Sequence, residues 1–445
     1  MRSVRVLPVV LLVAVWPLVA WPAENLLALY REAQSANAAF LAARAGAEAE
    51  QETRNIARGQ LFPSLSLSGN YGRNGTDRQV GATPSEHFDY DSFSYNLNLR
   101  QPVYRKYNFA LYEQAKAQGD AAAARLNQAA NELVVRLSSA YMDALFADDQ
   151  GRLLEAQKAA ISGQLAAAER GLAAGSGTRI DIDEARARFD MVLAQELEVQ
   201  NLRGHSRRAL GAFLNREIGD LAPLDVENFK QLPPNPVDVN AWVAEAEASN
   251  AEYQGLLAQR KAAEQEVEKA LAGHYPTVDL VASAGRSGND SVSNLNRFGD
   301  TEYRTTSYGV QLNIPLFAGG QVNATVRQAR AKLEQVVQQG EEVRRNIGVQ
   351  TRREFDNVVQ GLARIKALER AEVSGRQTIL SAKKGVEAGV RSTLDVLQVE
   401  QQYFTVRRDL AQARYNYLIS GLKLKALAGI LSEIDVGGVN SQLAQ

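Results

Sequence analysis

The chain has 445 residues, 45% of them hydrophobic, with 50 basic against 51 acidic side chains and no cysteine. A net charge near −1, with no basic arm and no RNP-like aromatic motif, gives no support to a nucleic-acid partner, and no nucleic acid is expected. Without cysteine there is neither a disulfide nor a site for an N-terminal lipid.

Residues 1–23 read as a secretory signal peptide. Arg2 and Arg5 precede an apolar run over residues 6–20, and cleavage is expected after Ala23. The run contains Pro8 and Pro17 and is too short for a membrane anchor. No later segment has the length and apolarity of a membrane helix. An exported chain of this kind is either periplasmic or a transmembrane β-barrel, whose alternating strands carry little hydropathy signal.

The remainder repeats with a shift of about 213 residues, so each copy is far longer than the roughly 20 to 50 residues of a solenoid unit. Gly171, Ala174, Gly175 and Asp181 return as Gly385, Ala388, Gly389 and Asp395, and Pro63 and Pro102 return as Pro276 and Pro315. The first repeat occupies 24–231, an inter-repeat linker with Pro233, Pro234 and Pro236 occupies 232–237, and the second repeat occupies 238–431. Residues 432–445 are expected to form a short irregular tail.

Each repeat opens with an Ala/Glu/Gln/Arg-rich segment, about 24–60 and 239–273, which predicts one long helix ending before a proline. The period then changes to two. Leu65, Leu67, Gly69 and Tyr71 alternate with Ser66, Ser68 and Asn70; Phe93, Tyr95, Leu97 and Leu99 alternate with Ser94, Asn96 and Asn98. In the second repeat Val278, Leu280, Ala282 and Ala284 form one apolar row, and Tyr308, Val310, Leu312 and Ile314 the other. The pattern predicts strands at about 62–75, 92–104, 276–287 and 305–318, joined by polar loops at 74–90 and 287–304. Aromatic residues gather near the strand ends: Phe62, Tyr104, Tyr107, Phe88 and Tyr90, then Tyr275, Phe317 and Tyr303. Two readings fit: a small sheet packed on helices, or part of a membrane barrel with an aromatic girdle. Four strands cannot close a barrel, and lipid does not tolerate an open edge, so the second reading requires oligomerisation.

Helical hairpins follow, at about 105–216 and 319–431. Residues 105–173 and 319–387 contain no proline, which allows helices of roughly 100 Å. Leu126, Ala130, Leu133, Leu137, Ala140, Ala144 and Ala147 keep 4,3 spacing. A second seam, from Val396 and Val399 through Tyr403, Val406 and Leu410 to Leu431, runs for five heptads and favours coiled-coil packing. Each hairpin turns at a glycine-rich segment, 171–178 or 385–392. Asp181 and Asp395 lie where first-turn acids cap a helix, a structural role that stands beside any functional one.

No catalytic constellation is present. His87, His205 and His274 do not pair at metal-ligand spacing, and there is no HExxH, GxSxG or P-loop. No enzyme activity, cofactor or metal is expected.

Together these features resemble the TolC family of outer-membrane efflux and secretion ducts. The resemblance spans nearly the whole mature chain and includes ENL at 24–26, VENFK at 226–230, HYPTVDL at 274–280 and AQARYNYL at 411–418. It implies a mainly α fold with a β-barrel segment. In a homotrimer, four strands per chain would close a 12-stranded barrel continuous with a periplasmic α-helical coiled-coil tunnel. Short elements near 217–240 and the C-terminus would girdle that tunnel. It implies an exit duct in outer-membrane lipid that docks a periplasmic adaptor and an ABC or proton-driven pump. Inner coiled coils at about 345–410 would gate it. For the gate, the family's arginine matches Arg391 and its aspartate partner matches Asp181. A companion threonine is replaced by Ile180 and a tyrosine by Val386, so two restraints on the closed state are missing. Asp395 matches the first pore aspartate, and Gln398 replaces the second. The adaptor-binding tip matches Gly175, Ser176, Gly389 and Val390, with Ala174 and Ala388 in place of the usual valines. A barrel-anchored coiled-coil adhesive or structural surface protein is the alternative, and a soluble periplasmic scaffold a third reading.

Overall fold

The computed structural model describes residues 23–175, 177–290 and 301–444. The proposed signal peptide, apart from Ala23, and Ser176 lie outside the described residues. The first repeat contains α1 (Leu26–Ala36), α2 (Ala38–Gly59), β1 (Ser64–Arg78), β2 (Glu86–Tyr104), α3 (Lys106–Ala173) and α4 (Arg179–Gly211). The second contains α5 (Val239–Ser249), α6 (Ala251–Leu271), β3 (Thr277–Asn289), β4 (Thr301–Asn313), α7 (Gln321–Glu387) and α8 (Thr393–Leu427).

The opening helix of each repeat is two helices, not one. Asn37 and Asn250 interrupt it with extended backbone, and each side chain accepts the N–H of the third residue onward, Phe40 or Tyr253. Asparagine favours such a cap over helix interior because its amide competes with the backbone for hydrogen bonds. The kink at Asn250 is also an anchor. Its Nδ2 donates to the Leu427 carbonyl at the end of α8. Gly429, at φ +71°, lets that chain end press against the Ser249 carbonyl, where a Cβ would collide.

The strands form one antiparallel sheet in the order β1-β2-β3-β4, so the two repeats meet through β2 and β3. Register carries the period-two pattern straight across. Leu65, Leu99, Ala282 and Tyr308 share one row, and Leu67, Leu97 and Ala284 the next. Between them Ser66, Asn98, Ser283 and Ser307 form a row on the reverse face. The apolar face is bare: Leu67 is 74% and Tyr308 90% exposed. The expected loop 74–90 is mostly sheet, since β1 continues to Arg78 and β2 begins at Glu86. Apart from Phe88 and Tyr90 this extension is polar, so the ladder persists without a regular apolar alternation to reveal it. Asn74 donates to Ser92 at 2.8 Å and His87 meets Asp77 at 2.6 Å across it. At the other end β4 stops at Asn313, short of the expected 318, just before Pro315, which has no N–H for the ladder.

Each strand runs into a helix, and the helices keep the strand order. α3 lies between α2 and α6, and α6 between α3 and α7. Alanine makes this close approach possible: Ala115, Ala117, Ala121, Ala122 and Ala124 are buried on α3, and Gly255 of α6 sits over Ala124. At the sheet–helix junction Asp279 is 1% exposed and is gripped by Arg100 and Arg105 at 2.6 Å.

The main core lies midway along the long helices. Leu26, Leu29, Leu137, Tyr141, Leu210, Trp242, Phe355, Tyr415 and Val436 converge there. The Tyr141 hydroxyl lies 3.0 Å from the carbonyls of both Glu24 and Ala222, and residue 24 pairs with Leu221. Here the expectation of an irregular tail is corrected: Glu433–Asn440 is helix α9. Ser432 and Asp435 form a capping box, Val436 and Val439 are buried, and Leu443 bridges to Leu224. The short length of this segment hid an amphipathic turn that only the core could stabilise.

Candidate functional site

The two hairpin ends face the same direction and share one construction. At the first, α3 ends at Ala174, Gly175 takes φ +72°, and Thr178 caps α4. At the second, α7 ends at Ala388, Gly389 takes φ +71°, and Ser392 caps α8. Positive φ suits glycine because no Cβ meets the carbonyl. Asp181 and Asp395 occupy matching capping boxes. Thr178 N–H donates to Asp181 at 2.9 Å, and Ser392 N–H donates to Asp395 at 2.9 Å. The Ser392 backbone N–H and then its hydroxyl hold the Asp395 carboxyl below the usual aspartate range, with Arg391 adding its field. The capping role that stood open in the sequence is therefore filled at both positions, and Asp395 stays ionised.

The copies diverge beside these caps. Gly177 is packed so tightly that a Cβ would fall 2.9 Å from the Leu172 nitrogen. Its counterpart Arg391 lays its side chain over Gly385, where a Cβ would meet Arg391 Cγ at 3.0 Å. Within one chain no described hydrogen bond or ion pair joins Arg391 to Asp181, whose carboxylate serves Thr178. Ile180 is 68% and Val390 79% exposed, and Val386 is half-buried. Gln398 is exposed on α8, three residues after Asp395. The tip thus presents apolar side chains and two glycine turns.

Just behind the tip the structure adds contacts that sequence reasoning missed. Leu397 of α8, 2% exposed, leaves its own hairpin and packs among Ile161 of α3 and Ala185 and Val192 of α4. Arg188 of α4 donates to Gln401 of α8. Lys383 of α7 pairs at 2.8 Å with Glu400 of α8, which is 3% exposed and whose Oε2 has no hydrogen-bond partner among the described residues. The heptad seam includes Val396 and not Leu397. Two adjacent apolar positions, Val396 and Leu397, are the signal in the sequence that α8 faces two partners at once, and both are buried.

Farther from the tip, charge pairs fasten the band around the core. Arg216 forks onto Glu32 at 2.7 and 2.8 Å and onto Glu24 at 2.9 and 3.1 Å. That hydrogen bonding holds the Glu32 carboxyl below its ordinary value. Tyr417 of α8 donates to the Leu232 carbonyl, and Gln231 beside it donates to Glu369 of α7, which also pairs with Arg414, so the start of the linker is tied to α7 and α8. No cluster of histidine and carboxylate able to hold a metal occurs among the described residues.

The family profile for outer membrane efflux proteins matches residues 29–216 and 242–430. The chain is 35% identical over 402 residues to the alkaline protease secretion protein AprF of Pseudomonas aeruginosa, covering 89% of this chain and 82% of that protein. It is 31% identical over 432 residues to the outer membrane protein TolC of Escherichia coli, covering 95% and 86%. Among solved structures, CusC superposes with a TM-score of 0.78 at 18% identity, covering 92% of this chain and 93% of the other. The outer membrane protein VceC of Vibrio cholerae gives 0.75 at 20%, covering 91% and 96%.

Proposed function

The chain belongs to the outer membrane efflux protein family and is a duct of the Gram-negative outer membrane rather than an enzyme, and from that premise we propose how it is assembled and gated. Three copies join β4 of one sheet to β1 of the next, closing four strands per chain into a barrel of twelve. The bare apolar face with a polar reverse and two unpaired edge strands is the observation that carries this reading. In water such a face and such edges are unfavourable, whereas a closed barrel in lipid satisfies both. The Ser/Asn face then lines the lumen, and the long helices continue it as a periplasmic tunnel.

The tip is the gate. Asp395 from three copies forms a ring of ionised carboxylates that favours cations, with Gln398 leaving a second ring uncharged. Arg391, exposed at the tip, links to Asp181 of a neighbouring hairpin, the place that the family resemblance gives it. The restraints absent at Ile180 and Val386 are supplied farther back, by Leu397 and Arg188–Gln401, which seat the inner hairpin α7/α8 on α3 and α4, while Lys383–Glu400 ties α7 to α8 within it. A periplasmic adaptor docks on the turns at Gly175 and Gly389, with Ile180 and Val390 as apolar contacts; an inner-membrane pump supplies the energy. The protease-secretion names of two relatives, AprF and PrtF, support a protein cargo exported by a type I system.

Purified protein in detergent is expected to sediment as three chains per particle and to form small, cation-preferring conductances in planar bilayers. A monomeric particle without conductance overturns the proposal.

A further inference from the structure

At the upper edge of the apolar face the register brings two arginines together. Arg286 of β3 and Arg304 of β4 are directly opposite. They lie on the same face as Ala284 and Thr306, the preceding row, and so point outward with the apolar side chains rather than into the polar reverse. Tyr95 is the next neighbour of Arg286 in that row, and Tyr71 and Phe93 follow one row farther out. Aromatic rings at this level mark the boundary between hydrocarbon and headgroups.

Like charges facing each other across a ladder are destabilising. Here both are served by one carboxylate: Glu302 meets Arg286 at 2.5 Å and Arg304 at 3.1 Å. Among the described residues one positive charge is left over, and both guanidiniums remain exposed, at 53% and 78% of the side chain. Beyond this level the outward face is mixed in sign: Arg73 stands opposite Asp91 and His87 opposite Asp77, with Asp89 between them. An anion approaching from the lipid therefore meets its complement at the arginine rung, where the bases outnumber the one acid among the described residues.

We propose that Arg286 and Arg304 form a binding site for the phosphate of a phosphorylated glycolipid headgroup in the outer leaflet. The proposal rests on the barrel reading above, which places this face in lipid. The planar guanidinium forks suit phosphate oxygens bidentately, and a site at the headgroup boundary is partly shielded from water. Glu302 holds the two forks together when the site is empty and keeps their separation fixed.

The test uses the full trimer in detergent, titrated with diphosphorylated lipid A, with the same lipid dephosphorylated, and with inorganic phosphate, with bound lipid counted by native mass spectrometry. The wild type is expected to prefer the phosphorylated lipid by about tenfold, the scale of one or two charge-assisted bonds. The double variant Arg286→Gln/Arg304→Gln should lose that preference while remaining trimeric and conducting, and Arg286→Lys/Arg304→Lys should keep part of it. Equal preference in wild type and glutamine trimers overturns the proposal. Inorganic phosphate competing as well as the lipid assigns the site to free anions and overturns the lipid assignment. Monomers without conductance would sink the duct reading along with this one, whereas conducting trimers indifferent to phosphorylation sink this one alone.

Discussion

Leu397→Ala is expected to open the duct. The side chain is 2% exposed and fills a small apolar cluster that joins α8 to α3 and α4, separate from the main core. Truncating a buried leucine costs about 2 to 5 kcal/mol. Only the part lost when the inner hairpin leaves the outer one biases the gate, so about 2 kcal/mol per copy is a fair share. Leu397 packs within its own chain, so three copies taken as additive sum to about 6 kcal/mol. Turning a two-state equilibrium from 1:99 to 99:1 needs about 5.5 kcal/mol, so this one change would convert a mostly closed population to a mostly open one. Single-channel recording in planar bilayers reads the outcome directly, as a rise in conductance and open time. A thermal melt of the same trimer supplies the control, because lost packing lowers the midpoint whatever the gate does. A lowered midpoint with unchanged conductance would show that α8 and α4 do not part on opening.

Three further outcomes are expected. Asp395→Ala should weaken block by multivalent cations in bilayers, whereas Ser392→Ala, which removes the hydroxyl of the same cap but keeps the carboxylate, should leave block intact; equal effects would assign the result to capping. Arg216→Ala should cost about 1 kcal/mol after allowance for solvent screening, and the clamp should weaken in acid. Glu32 is held below its ordinary 4.5 in the folded protein, so its contribution is full above that pH and is lost as pH falls through the folded value. The denaturation midpoints of wild type and Glu32→Gln should converge there, and a constant gap from neutral pH to acid would contradict the assignment. Asn250→Ala should lower stability by about 2 kcal/mol, since it removes both a helix cap and the bond to Leu427, while Asn37→Ala should cost about 1; scanning fluorimetry separates the two, and equal losses would mean that the tie to α8 contributes nothing.

Local patterns were legible in the sequence because they depend on near neighbours alone. Alternation at 65–71 and 93–99 fixes which side of a strand is apolar, and glycines at 175 and 389 fix where a long helix turns back. The duplication itself announced paired hairpins. The extension of the β1–β2 hairpin is not legible in the sequence because its mostly polar strands carry no regular apolar alternation. The kink asparagines were visible as a repeated pair, at 37 and 250, yet helix propensity around them spoke for a continuous rod. Helix α9 forms because a core assembled from residues hundreds of positions away accepts Val436 and Val439. The same reason governs Leu397: a heptad seam describes one partner, while burial of this side chain depends on helices arriving from another hairpin. The sequence by itself determined the repeat, the strand faces and the turn chemistry, all set within a few residues. Only the tertiary structure decided which helices share α8 and where two opposed arginines meet at the rim of the sheet, because those are contacts between segments whose spacing along the chain carries no periodic trace.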